Sequence, residues 1–279
     1  MLCRLYWLAA VAAAALLLSL SVRPARAYEP DEPNAPKAVI FIDPGHGGSD
    51  SGAVFHGAGF TLEEAEVNLD IALRTADRLR EHGYTVYLSR ETADQPGGSE
   101  DVNGDGQSTN RDGLQSVVDQ ANAVHADLFL SIHHNGSTNA SAAGSEVYYC
   151  ADRPFADQSF RFGQLVLEEV LAALARQGYD SPDRGVTDDA LLYSRGAYRG
   201  HLFVLGPLRA PNPSLFARPT PANGERRRFA PKLRATEMPG VLSEALFVSN
   251  AYEARLLTQP RIRAALADAF ANAVDRYFG

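Results

Sequence analysis

The chain has 279 residues, 45% of them hydrophobic and 22% charged, the balance of an ordinary globular protein of one domain or two at most. Its net charge of −8 argues against a nucleic-acid partner, because neutralising phosphates takes a basic face. Two cysteines cannot build a disulfide scaffold, so the fold must rest on an apolar core.

Met1–Ala27 has the form of a secretory signal: Arg4 precedes a charge-free, Ala/Leu-rich stretch over Leu5–Leu20, and Ala25-Arg26-Ala27 fits a small-residue cleavage site. An uncleaved anchor is the alternative, since the uncharged run reaches Val22. Cleavage would remove three arginines and Cys3, leaving 252 residues with a net charge of −11 and Cys150 as the only thiol. Residues 28–37, with Pro30, Pro33 and Pro36, read as a linker into the domain.

From Ala38 onward, short apolar runs alternate with amphipathic segments. Strands are predicted at Ala38–Ile42, Thr85–Leu88, Asp127–Ile132, Ser145–Tyr149, Leu202–Leu205 and Val241–Phe247. Helices are predicted at Glu64–His82, Leu114–Val124, Phe160–Arg176 and Ile262–Tyr277, the first and third stopping at Gly83 and Gly178. This alternation predicts a single α/β domain with a mostly parallel, twisted sheet flanked by helices on both faces.

Ligands in such sheets bind beyond the carboxyl ends of the strands. Three apolar runs meet metal- or acid-capable residues there: Asp43 and His46 after the first, His133 and His134 after Leu128–Ile132, and Glu244 within Gly240–Phe247. Glu63, Glu64 and Glu66 begin the helix that follows the first strand. Two imidazoles and a carboxylate can hold Zn²⁺ with one position open, and a further carboxylate can take a proton from water. Polar loops without a metal are the alternative. Asp43 is a candidate to orient an imidazole.

Four segments carry a family resemblance: Val39–Ala53 (VIFIDPGHGGSDSGA), Glu64–Leu69 (EAEVNL), Asp127–Asn135 (DLFLSIHHN) and Met238–Asn250 (MPGVLSEALFVSN). Together they resemble the catalytic domain of the zinc-dependent N-acetylmuramoyl-L-alanine amidases, the third amidase family of cell-wall hydrolases, over residues 38–279. The resemblance implies His46, Glu64 and His133 as zinc ligands, Glu244 as the catalytic glutamate and peptidoglycan as the substrate. Arg90 and Arg184-Gly185-Val186 resemble further family segments. Neighbouring strand residues point to opposite faces, so His133 and His134 cannot both meet one metal. His134 is expected to be a surface residue or to line the cleft, and Glu63 and Glu66 to be solvated.

The chain departs from the family pattern in two insertions, near 95–112 and 207–237. In the first, Asp101, Asn103, Asp105, Thr109 and Asp112 occupy positions 1, 3, 5, 9 and 12 of a calcium loop with glycine at position 6; an Asn/Gly/Asp surface turn is the alternative. Just beyond, Val117 stands where the family usually has arginine. The second insertion holds six prolines and seven Lys/Arg against two acids, suiting a lid, a cationic wall contact or a solvated loop.

Taken with the resemblance, these features predict a secreted, periplasmic or wall-associated zinc amidase, monomeric, with Ca²⁺ as a possible second ion. A zinc hydrolase acting within the stem peptide and a non-catalytic wall-binding homologue are the alternatives. No wall-binding repeats are evident, so targeting would fall to the domain, the insertion or a regulatory or targeting protein.

Overall fold

A computed structural model of the chain describes residues 37–98, 100–102, 106–192, 200–206 and 233–279. The segment read as an export signal, nearly all of the stretch read as a linker, Asn103, Asp105 and most of the second insertion lie outside them. The described residues contain eight strands and five α-helices: β1 (Val39–Pro44), β2 (Val54–Gly57), β3 (Phe60–Glu63), α1 (Glu64–Glu81), β4 (Thr85–Leu88), α2 (Asn110–Ala123), β5 (Leu128–Asn135), β6 (Ser145–Tyr149), α3 (Ala156–Arg176), β7 (Asp183–Asp188), β8 (Gly240–Phe247), α4 (Ala251–Leu257) and α5 (Pro260–Phe278).

Six strands form one sheet in the order β4-β1-β5-β8-β6-β7. The pairings among β4, β1, β5 and β8 are parallel, as is β6 with β7; β6 meets β8 antiparallel. The two faces are covered separately. Ile40, Ile42, Leu130 and Val241 pack toward α1, α3 and α5, while Phe41, Phe129 and Leu242 pack toward Val117, Val118 and Ala121 of α2. Strands buried on both sides need apolar residues at successive positions, which explains the unbroken IFI and LFL runs.

α1 illustrates how sequence and neighbours combine. Val67, Ile71, Ala72, Ala76 and Leu79 form its buried stripe, and Gly83, with φ 88°, ends it in the left-handed turn that glycine tolerates. No side chain caps its N-terminus; the carbonyls of Ala53 and Ser51 accept from the amides of Glu64 and Ala65 instead. The loop after β1 is thereby fastened to the helix that carries Glu64.

Leu202–Leu205 is a turn rather than the predicted strand: the amides of Leu205 and Gly206 both donate to the Leu202 carbonyl. Its apolar residues instead join the α2-side core, where Val204 and Leu205 are buried. β2, β3, β7 and α4 were not expected. The first two form a separate antiparallel hairpin, and β7 is a polar edge strand, exposed or half-buried throughout.

Candidate metal centre

β1 delivers His46 through Asp43-Pro44-Gly45, β5 delivers His133, and the first turn of α1 delivers Glu64. His46 Nε2 lies 3.0 Å from Glu64 Oε1 and His133 Nδ1 lies 3.1 Å from the same oxygen. The two imidazoles meet edge to face with centroids 4.8 Å apart. Two nitrogens and one carboxylate oxygen thus converge within 4.8 Å of one another, a donor set that fits a divalent metal with an open position.

The surrounding residues explain how this cluster is held. Glu64 is buried, and its Oε2 accepts from the Ala53 amide at 2.9 Å while Oε1 accepts from the His134 amide at 3.1 Å. Burial disfavours its charge, but the hydrogen bonds and charges of His133 and His46 hold its pKa well below the usual carboxylate range. Burial likewise acts to lower the His46 pKa, yet Glu64 and then Asp50 outweigh it and bring it up to about 9. Asp50 Oδ2 sits 3.1 Å from His46 Nδ1, where it orients the ring.

Glycine makes the room. A Cβ on Gly45 would lie 2.0 Å from His133 Nε2, and one on Gly52 would lie 2.5 Å from Glu64 Oε2 and 2.7 Å from His46 Cδ2. Arg90, buried, binds the same loop from behind by donating to the carbonyls of Pro44, Gly45, Thr92 and Ala65.

Glu244 is beside His133 in the β5–β8 register, and Glu146 is beside Glu244 in the β8–β6 register. Paired residues share a sheet face, so the three form a row on the α2 side. Arg184 of β7 extends it, 3.3 Å from Glu146 Oε2. Glu244 Oε2 is buried without a hydrogen-bond partner among the described residues. Burial, followed by the charges of Glu64 and Glu146, raises the Glu244 pKa well above the usual range. A cavity of about 520 Å³ opens over this end of the sheet, lined by His46 and His133, by Leu114 and Val117 of α2, and by His201 and Phe203.

Several expectations change on contact with this geometry. Asp43 does not orient an imidazole: it accepts from the hydroxyls of Ser89 and Ser131, each at 2.7 Å. His134 is neither at the surface nor in the cleft; it is buried toward α1, with Nδ1 2.8 Å from Asn68 Oδ1, and burial pushes its pKa down to about 3. Glu63 and Glu66 are exposed as expected. Of the five candidate calcium ligands, Asn103 and Asp105 lie outside the described residues. Asp101 Oδ2 accepts from the Gly106 amide, and Thr109 and Asp112 form a capping box on α2. Asp50, Asn68 and Glu146 were missed. Asp50 and Asn68 lie within the segments Val39–Ala53 and Glu64–Leu69, but nothing local in the sequence marks Glu146, which long-range pairing places beside Glu244.

An α/β domain with a three-donor cluster at the carboxyl ends of its parallel strands is the class that fold and site define. Residues 40–276 match the family described as N-acetylmuramoyl-L-alanine amidase, and the chain belongs to that family. AmiC of Neisseria meningitidis serogroup B is 31% identical over 247 residues, covering 88% of this chain and 53% of AmiC. LytC of Bacillus subtilis is 30% identical over 240 residues, covering 86% of this chain and 35% of LytC. The chain therefore spans about half or less of the length of these two relatives. The solved AmiC2 of Nostoc punctiforme shares the fold with a TM-score of 0.58 at 24% identity, over 86% of this chain and 96% of that one.

Proposed function

We propose that the chain hydrolyses the amide joining N-acetylmuramic acid to L-alanine in peptidoglycan, with Zn²⁺ held by His46, Glu64 and His133. The observation that carries this reading is the convergence of those three side chains beside Glu244, in a chain that belongs to the amidase family. The chemistry Zn²⁺ supplies when bound is polarisation of the scissile carbonyl and acidification of water.

Glu244 takes the proton of the attacking water and passes it to the departing amine. Its carboxyl is buried beside the charges of Glu64 and Glu146, which raise its pKa and so strengthen it as a proton acceptor. Asp50 fixes the His46 ring, and Arg90 holds the loop on which that ring stands. The cavity beside the row receives the glycan–peptide junction. An export segment at Met1–Ala27 fits action on the wall outside the cytoplasm.

Digestion of purified peptidoglycan followed by mass analysis tests the reading. Glycan chains freed of intact stem peptides are expected, with loss of activity in chelator and recovery with Zn²⁺. Shortened stem peptides still attached to muramic acid would place the cut elsewhere. Glu244→Gln is expected to keep the metal and lose turnover by at least ~100-fold; normal turnover would remove Glu244 from this role.

A further inference from the structure

His201 lines the same cavity as His46 and His133, but it belongs to a second group of side chains. Cys150 follows directly on β6, Asp189 follows β7, and His201 precedes the Leu202–Leu205 turn. His201 Nδ1 is 3.3 Å from Cys150 Sγ and 2.6 Å from Asp189 Oδ1. These three ligand atoms all lie within 4.8 Å of one another. Cys150 and Asp189 are buried, and the His201 side chain is only 5% exposed.

The orientation of the ring is informative. Its other nitrogen, Nε2, faces Asp152 Oδ2 at 3.2 Å, the arrangement by which a carboxylate fixes an imidazole whose opposite nitrogen binds a metal. Asp189 is fixed in turn, because its Oδ2 accepts from the Leu202 amide at 2.9 Å. A cysteine–histidine nucleophile fits poorly: both ring nitrogens face carboxylates, so the ring has no lone pair to take the thiol proton. Tetrahedral coordination at bond lengths of about 2.0–2.3 Å sets ligand atoms roughly 3.3–3.6 Å apart. The Sγ–Nδ1 separation already fits, and the Nδ1–Oδ1 pair needs to open by less than about 1 Å.

We propose that Cys150, Asp189 and His201 form a second metal site, taking a borderline divalent cation of the zinc type, with Asp152 orienting the imidazole. Sulfur, imidazole and carboxylate together select such an ion over calcium or magnesium. On binding, the protons of the thiol and of Nδ1 leave, and the Nε2 proton stays on the ring, donated to Asp152 Oδ2. The ion ties the ends of β6 and β7 to the segment carrying Leu202–Val204, and so fixes the part of the cavity wall that this segment supplies.

Co²⁺ titration of the metal-stripped full chain tests this without reference to turnover. With Cys3→Ser in the background, Cys150 is the only thiol. A near-ultraviolet thiolate-to-cobalt band is expected, with the amplitude of one thiolate–cobalt bond per chain. The His46/Glu64/His133 cluster contains no sulfur, so the band persists in His46→Ala. It is absent in Cys150→Ser, and Asp189→Asn weakens cobalt binding at the band by at least ~10-fold. Absence of the band from the Cys150-containing chain in excess Co²⁺ overturns the proposal whatever the variants do, and so does a band that survives Cys150→Ser.

Discussion

The closest geometric tolerance at the metal centre belongs to Gly45. Gly45→Ala forces the His133 ring away, and the expected outcome is at least a ~10-fold loss of metal affinity in a folded protein, measured by competition with a chromogenic chelator. Gly59 provides the control: it has φ 89° but open space around it, so Gly59→Ala should cost about 1 kcal/mol of stability and leave metal affinity unchanged. Glu146 carries a pH prediction. After burial and Glu64, its charge is the remaining contribution that holds Glu244 up; Glu146→Gln removes that charge and frees Arg184, and both changes favour the Glu244 carboxylate. The acid limb of kcat should therefore move to lower pH, and a limb that stays or moves upward refutes the coupling. At this scale the sequence was legible where a polar residue broke an apolar strand, as at His133 and Glu244. It was silent where a neighbour is supplied by a distant strand, as at Glu146, and it misled at His134, whose burial follows from the face that α1 covers.

Elements differ in how they are stabilised, and two contacts can be tested separately from the metal. The capping box on α2 has the Thr109 and Asp112 side chains serving each other's ends of the first turn, so Thr109→Ala should cost about 0.5–2 kcal/mol in denaturant unfolding. Arg90 satisfies four carbonyls at once with its planar fork. Arg90→Lys keeps the charge but leaves buried carbonyls without donors, and a loss of about 2 kcal/mol or more is expected; unchanged stability would mean that those contacts are dispensable. The legible elements were those with a full apolar period, such as β1, β5 and α1. β7, reading Asp-Arg-Gly-Val-Thr-Asp, has no such period because it is an edge strand with little to bury. Leu202–Leu205 has the composition of a strand, yet it packs as a turn whose apolar side chains join the α2-side core.

For the molecule as a whole, a metal that binds only the folded state must add to stability. At free zinc of about 100 times Kd the gain is about 2.7 kcal/mol, which for a domain of this size raises the melting temperature by roughly 5–10 °C. Chelator should remove that increment and zinc restore it; a melting curve indifferent to both would rule out the ion as part of the native state. The six-stranded order with its single antiparallel pairing was only partly readable, since pairing partners are not encoded next to one another in the chain. That order nonetheless divides labour. The candidate donor groups and Glu244 come from strands β5 and β8, the end of β1 and the first turn of α1, whereas Gln95, Pro96 and Gly200–Val204, which wall the cavity, come from the connections after β4 and β7. Under the proposed function, selectivity can therefore diversify by exchange of those connections while the strands keep the reactive groups: chimaeras that swap the connections should change which wall fragments are cut, and leave the bond type broken the same.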